Sequence, residues 1–233
     1  MSIVRHAGTF GTASVVSPET MYQTILDMGI VPFFENAIPG YSIEERTPPQ
    51  FWFDGDGAAL GPWDWKIFAV QSGDIAYGKF LLGGKASFAT IQWYKELMNW
   101  RRSLPACQPT PDGLRILDFL AENGSIGIKE VRGLLGVKKS AADAAISRLQ
   151  HQCRVVTGDI VRVYRGEDLH YNGWQTSSFC TPESLFESDG FPFGPPVSLQ
   201  VDHSPQESYE KLVKHILTLA PEATPEQIKK LLR

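Results

Sequence analysis

The chain is poor in cysteine, short of positive charge and free of long apolar runs. Its 233 residues include 3 cysteines, Cys107, Cys153 and Cys180, an odd number at wide spacing. That excludes a disulfide framework and a CxxC metal knuckle and leaves reduced, structural thiols as the expectation. Lysine and arginine number 22 against 26 aspartates and glutamates, a formal net charge of −4. No global field therefore draws the chain to phosphate. No apolar stretch approaches membrane-spanning length, and residues 1–17 lack the apolar core of a signal peptide. The expected location is the cytoplasm, with no membrane partner.

Several chemistries lack their signatures. No GxGxxG or Walker sequence follows a strand, and Gly83-Gly84 reads as a turn. His6, His151, His170, His203 and His215 stand apart, without HxH, HExxH or Cys/His spacing, so they read as surface imidazoles and neither metal nor cofactor is expected. Asp54 and Asp56 alternate in a Gly-rich segment, the pattern of a solvated turn. No nucleophile-elbow sequence presents a serine. Catalytic residues are left unassigned.

What is present is a globular composition, 42% hydrophobic, enough for a substantial core in one or two domains. The most directional stretch is residues 111–180, which reads as a winged helix: three short amphipathic helices and then two β-rich runs. In the first helix Leu114, Leu117 and Ala121 recur at helical spacing beside Leu120, and Asn123-Gly124 supplies the stop. The second aligns Ile128, Val131 and Leu135 and ends at Gly136. Ser140 is the expected N-cap of the third, in which Ala142, Ala145, Ile146 and Leu149 form the buried stripe. Ala141, Asp143, Ala144, Ser147, Arg148 and Gln150 are left facing outward. Residues 153–164 and 174–180 supply the two strands of a wing around a turn at 165–173.

The remainder is moderately legible. Ser17-Pro18-Glu19 opens a helix that runs to about Met28 and stops at Gly29. Residues 31–65 mix proline, glycine, aromatics and acids without a period, which predicts an ordered but irregular arm, with Trp63 and Trp65 sharing one face of an extended segment. Residues 76–80 and 86–89 flank Gly83-Gly84 as a β-hairpin, followed by a helix over 91–102. Three prolines in 105–111 mark the best domain boundary, and 190–196 is a loop. Thr181-Pro182-Glu183 is a helix start, and Ser204-Pro205-Gln206-Glu207 and Thr224-Pro225-Glu226-Gln227 are capping boxes. The reading is an α+β chain with an aromatic-rich N-terminal domain of hairpin and helix (1–104), a winged helix-turn-helix domain (105–189), and a C-terminal loop with two helices (190–233). The first of these is also open to reading as a second, degenerate winged helix.

Charge is distributed more favourably than its total. Between residues 75 and 102 the positives are Lys79, Lys85, Lys95, Arg101 and Arg102 against Glu96 alone. Around the third helix they are Lys138, Lys139 and Arg148. Phe51, Trp52, Phe53, Trp63, Trp65, Trp93, Tyr94 and Trp100 form an aromatic concentration that stacks bases or, the favoured reading, packs a core.

Pro32-Phe33-Phe34-Glu35-Asn36, Tyr41-Ser42-Ile43-Glu44-Glu45, Phe51-Trp52-Phe53, Gly61-Pro62-Trp63-Asp64-Trp65 and Tyr77-Gly78-Lys79-Phe80 together resemble the bacterial AlkZ-related proteins. Lys85-Ala86-Ser87-Phe88, Trp93 and Trp100-Arg101-Arg102 extend the match. Those proteins are in turn distantly similar to the AlkZ/YcaQ winged-helix DNA glycosylases, in which a hairpin with aromatics leads into an Arg-ended helix. The resemblance implies a helix-turn-helix scaffold. It also implies base excision through a Gln-apolar-Gln or Gln-apolar-Asp motif near the end of the first helical region, where this chain reads Asp27-Met28-Gly29-Ile30-Val31-Pro32 and holds no glutamine. Gln200-Val201-Asp202 has the spelling but lies late in the chain. Gln150-His151-Gln152 has a polar centre and reads as a solvated helix end.

The sequence therefore predicts a winged-helix protein that binds nucleic acid, with duplex DNA as partner and no demonstrated catalysis. Lys138, Lys139, Arg148 and Arg154 are the expected phosphate contacts, with Lys95, Arg101 and Arg102 as the alternative surface. A DNA glycosylase or other repair enzyme is the enzymatic alternative, and a protein-interaction scaffold is the third reading.

Overall fold

The computed structural model describes residues 14–53, 60–188 and 196–233. His6, Asp54, Asp56 and the readings made on residues 1–13 and 189–195 lie outside the described residues. Helix and antiparallel sheet are mixed, so the α+β expectation stands.

Local signals start and stop most elements where expected. Ser17 caps α1 (Pro18–Met28) by accepting from the Thr20 N–H at 3.2 Å. Gly29 ends the helix at a φ of 68°, and a Cβ there would meet Trp93 at 2.3 Å. That indole lies against the His215 ring, centroids 3.8 Å apart. Both the positive φ and the close approach require glycine.

The chain then forms β1 (Ile30–Pro32), α2 (Ile43–Arg46), α3 (Gln50–Phe53) and α4 (Pro62–Gln71). The arm expected to be irregular is thus partly helical. Gly61 precedes a proline at the first helical position, a start signal passed over in the sequence. Trp63 and Trp65 share no face as a result: Trp65 is 5% exposed and Trp63 45%. Two residues along a helix turn through about 200°. The hairpin of β2 (Ile75–Leu81) and β3 (Lys85–Thr90) pairs with β1 in the order β1-β3-β2. After it comes α5 (Ile91–Ser103).

Helices α6 (Pro111–Asn123), α7 (Ile128–Leu135) and α8 (Lys139–His151) follow in the expected succession. Next come the antiparallel strands β5 (Val156–Arg165) and β6 (His170–Cys180), with β4 (Ile126–Gly127) on the far edge of β6. Pairing of Arg165 with His170 closes the turn more tightly than the sequence suggested. Three finer expectations differ. In α6 the buried residues are Gly113, Ile116 and Leu120, while Leu114 is 50% exposed and Ala121 is exposed. The N-cap of α8 is Lys138 rather than Ser140. Gln150, expected outside, is 2% exposed.

Short α9 (Pro182–Phe186), α10 (Pro205–Leu219) and α11 (Pro225–Leu231) complete the chain. The capping boxes of Ser204 with Glu207 and Thr224 with Gln227 form as expected. Two apolar clusters hold the fold. The larger joins α1, the first sheet, α4, α5, α10 and α11, and takes in Cys153, Val156, Ile160 and Cys180. The smaller is built from Ile116, Leu120, Ile126, Val131, Ala142, Ile146, Leu149, Val155 and Phe179. No helix among the described residues is long and apolar enough to cross a membrane.

Candidate functional site

A groove of about 1130 Å³ runs between α4, the β2–β3 hairpin, the start of α7, one side of α8, and strand β6. Its walls carry Lys79 and Lys85 from the hairpin, and Lys129 and Lys139 from the two helices, with Glu130 and Asp143 as the acids. Phe34, Trp63 and Trp174 add aromatic faces, and Trp63 and Trp174 are 45% and 57% exposed.

The first turn of α4 supplies the most unusual chemistry. Asp64 is 8% exposed. Its Oδ1 accepts from Arg162 Nε at 3.3 Å, from Gln175 Nε2 at 3.1 Å and from the Tyr171 hydroxyl. A carboxylate in a first helical turn is also favoured by the helix dipole. Lys66, two residues on, is 3% exposed. Its Nζ donates to the Trp63 carbonyl and to Gln175 Oε1, each at 2.5 Å, and lies 3.5 Å from the centroid of the Trp63 ring. Burial pushes this amine down to about 7, against the opposing attraction of Asp64.

Gln150 forms the polar floor. Its Nε2 donates to Thr157 Oγ1 at 3.0 Å, and its Oε1 accepts from the Lys79 N–H at 3.3 Å. A side chain at Gly78 would come 3.1 Å from that amide, so the glycine leaves Gln150 its place. Lys79 Nζ reaches Ser147 Oγ at 3.1 Å. The first sheet and α8 are thereby stitched together along one wall.

The expected cations separate into different settings. Lys138, Lys139 and Arg148 are exposed on α8, and Lys139 lines the groove. Arg154 is half-buried, with its Nε enclosed and without a hydrogen-bond partner. Lys95 lies by a different cavity of about 360 Å³, together with Gln200, Asp202, His203 and Lys211. Arg101 and Arg102 do not form a surface with it. Arg101 is 1% exposed and donates to the carbonyls of His151, at 2.7 Å, and Leu232. Arg102 donates to the Cys153 carbonyl at 2.7 Å and pairs with Glu183 at 2.5 Å. The last turn of α5 points its guanidiniums inward because helix-end and loop carbonyls there need donors.

Two other readings are corrected. Gln150 and Gln152 are 2% and 3% exposed, so this segment is not a solvated helix end. His203 is not isolated: its Nε2 lies 2.7 Å from Glu96 Oε2 and 3.0 Å from Ser208 Oγ. The bond with Glu96 raises the His203 pKa. Burial works to raise the Glu96 carboxyl, but hydrogen bonds from Ser208 and His203 outweigh it, and the net shift is downward. The aromatics divide. Trp65 and Tyr94 are buried; Phe51, Trp52, Trp93 and Trp100 pack against the larger cluster; Trp63 faces the groove.

Sequence reasoning missed Lys66, Asp64 and Gln175. A signal existed for Lys66, a lone lysine inside the apolar run from Trp65 to Val70 just after Gly61-Pro62, where a buried amine is the exception.

The described residues define a mixed helix-and-hairpin protein with a cation-walled groove. The AlkZ related family model matches residues 15–233, and the chain belongs to that family. No curated protein and no solved structure matches the chain.

Proposed function

We propose that the chain is a nucleic-acid-binding protein in which residues 105–189 form a winged helix-turn-helix domain, with β5–β6 as its wing. In this reading, the described residues of 1–104 contribute the opposing wall of the groove, and residues 196–233 pack against them. The observation that carries it is the groove itself: Lys79, Lys85, Lys129 and Lys139 share its walls with Trp63 and Trp174, which are 45% and 57% exposed. Cations that track a phosphate backbone beside rings on which bases stack are the two ingredients of sequence-tolerant binding. On these walls the lysines outnumber the acids Glu130 and Asp143, in a chain whose net charge is −4. Membership of the AlkZ-related family supports the same reading. The buried, unpaired thiols of Cys107, Cys153 and Cys180 fit a reducing compartment, and we place the protein in the cytoplasm.

Lys138, Lys139 and Arg148 contact phosphates from α8 in this arrangement, with Arg154 at the base of the wing. The outward face of α8 offers Ala141, Ala144 and Ser147, which carry little bidentate readout, so positioning outweighs sequence discrimination. Titration of duplex DNA across salt concentrations tests the reading. Lys138→Ala with Lys139→Ala should flatten the log K against log salt slope by about 1.8, at roughly 0.9 per lost contact. An unchanged slope moves the surface elsewhere on the molecule, and no binding at low salt favours a protein-interaction scaffold. Base excision is not expected, because residues 27–32 carry no glutamine. Release of free base from alkylated DNA by the purified protein would overturn that.

A further inference from the structure

Among the described residues Lys66 is the one buried lysine, and it lines the groove. An ammonium has three donors, and the structure gives this one two acceptors, the Trp63 carbonyl and Gln175 Oε1. A neutral amine has two N–H groups, which those two oxygens satisfy, and keeps a lone pair; the centroid of the Trp63 ring lies 3.5 Å from the nitrogen. The groups around it are Asp64 on its own helix, Arg162 and Tyr171 from β5 and β6, both bonded to Asp64, and Tyr77 from β2. Lys79, Lys85, Lys129 and Lys139 with Glu130 and Asp143 stand on the walls. Burial drives the amine toward its neutral form near pH 7. A desolvated amine in this state is a nucleophile toward carbonyl carbon.

We propose that Lys66 forms an imine with the aldehyde of an abasic sugar in DNA seated in this groove. The inference rests on the nucleic-acid reading above. Within DNA, the group open to an amine without a cofactor is the C1′ aldehyde of a sugar that has lost its base, and the missing base leaves a gap in the stack beside Trp63. The Lys66 lone pair forms the C–N bond while the carbonyl π pair moves to oxygen, which takes a proton. The nitrogen sheds one proton to give the neutral carbinolamine, whose hydroxyl then takes up a proton and leaves as water while the nitrogen sheds its second proton, giving the imine. The step that must supply the substrate is hydrolysis of an N-glycosidic bond.

A duplex carrying one abasic site, incubated with the full chain and sodium cyanoborohydride, reads the imine out as a stable amine. The expected result is a covalent protein–DNA adduct that maps to Lys66 by peptide mass spectrometry, is lost in Lys66→Gln, and rises in yield with pH through a midpoint of about 7. Mapping in the unmodified chain keeps the test valid if Lys66→Gln fails to fold. A duplex with the tetrahydrofuran analogue, which has no aldehyde, separates the two claims. Binding of the analogue without an adduct at Lys66, or with the adduct on Lys79, Lys85 or another lysine, overturns the imine and spares the binding function. Failure to bind the analogue at low salt overturns both.

Discussion

The amine of Lys66 on α4 lies 2.5 Å from Gln175 Oε1 on β6, a part-buried hydrogen bond between residues 109 apart in sequence. Asp64 reinforces the same junction by accepting from Arg162, Tyr171 and Gln175. The β5–β6 hairpin is therefore pinned to α4 by polar groups shielded from water, where each bond is stronger and each missing partner more costly.

Lys66→Met removes the desolvation of an amine but leaves Gln175 Oε1 without its donor, two effects of about 1–3 kcal/mol each and opposite sign, so the pH dependence carries the test. The pH dependence has a definite sign. The folded-state pKa of about 7 lies below the ordinary value of 10.5. The unfolded chain therefore binds the extra proton between those values, and the lysine contribution to stability rises with pH across that window. Thermal melts should show the unmodified protein gaining stability relative to Lys66→Met as pH increases from 7. A gap constant with pH would refute the shift.

Arg101→Ala should cost roughly 2–4 kcal/mol, since it leaves the buried carbonyls of His151 and Leu232 without their donor. Arg101→Lys should recover only part of this, because a compact ammonium lacks the planar, fixed spread of donors with which the guanidinium meets both carbonyls. Denaturant unfolding measures both. The salt slope of DNA binding should be the same in Arg101→Lys and the unmodified protein; a flatter slope would put this guanidinium back at the surface.

Ile146→Asp should destabilise α6, α7 and α8 by roughly 3–5 kcal/mol, since an unpaired carboxylate must enter the smaller apolar cluster. Hydrogen exchange should report loss of protection concentrated in these helices, with α1 and α5 still protected by the larger cluster. Uniform loss across the chain would show that the clusters unfold as one.

His203→Gln should reveal a pH-dependent tether of α10 onto α5. The folded-state pKa of His203 is raised above 6.5 by Glu96. Its stabilisation is therefore fully present below 6.5 and fades as pH rises through the folded value. Glu96, lowered below 4.5, contributes above that pH and loses its effect on further acidification. The melting-temperature gap between His203→Gln and the unmodified protein should be wider at about pH 6 than at about pH 8.5. Equal gaps would mean the contact carries no charge.

Much of the local grammar was legible because its causes lie within a few residues. Ser17, Thr181, Ser204 and Thr224 cap helices by bonding N–H groups three positions on. Gly124 and Gly136 stop helices at positive φ, and Gly83-Gly84 turns a hairpin. The α6 stripe shows the limit of periodicity. Leu114-Leu117-Ala121 and Gly113-Ile116-Leu120 have the same spacing, offset by one residue, or about 100° of rotation. The choice between them is made by α8: Leu149 packs so closely that a Cβ at Gly113 would lie 3.2 Å from its Cδ2.

The site itself was less legible, for a related reason. Lys79, Lys85, Lys95, Arg101 and Arg102 are close in sequence, yet two line the groove, one borders a different cavity and two serve internal carbonyls. Sequence proximity fixes which charges are near one another along the chain, but not which face of α5 the last turn presents to the ends of α8 and α11.

The sequence by itself determined the order of helices and strands, the caps and turns, and the apolar positions that make a core available, because these follow from backbone sterics and side-chain periodicity within single elements. Tertiary structure alone decided that Lys66 is a desolvated amine facing Gln175, that Gln150 is a groove floor and that His203 meets Glu96. Desolvation and charge pairing depend on what lies within a few ångströms in space, and in each pair the partner comes from a different element of the chain.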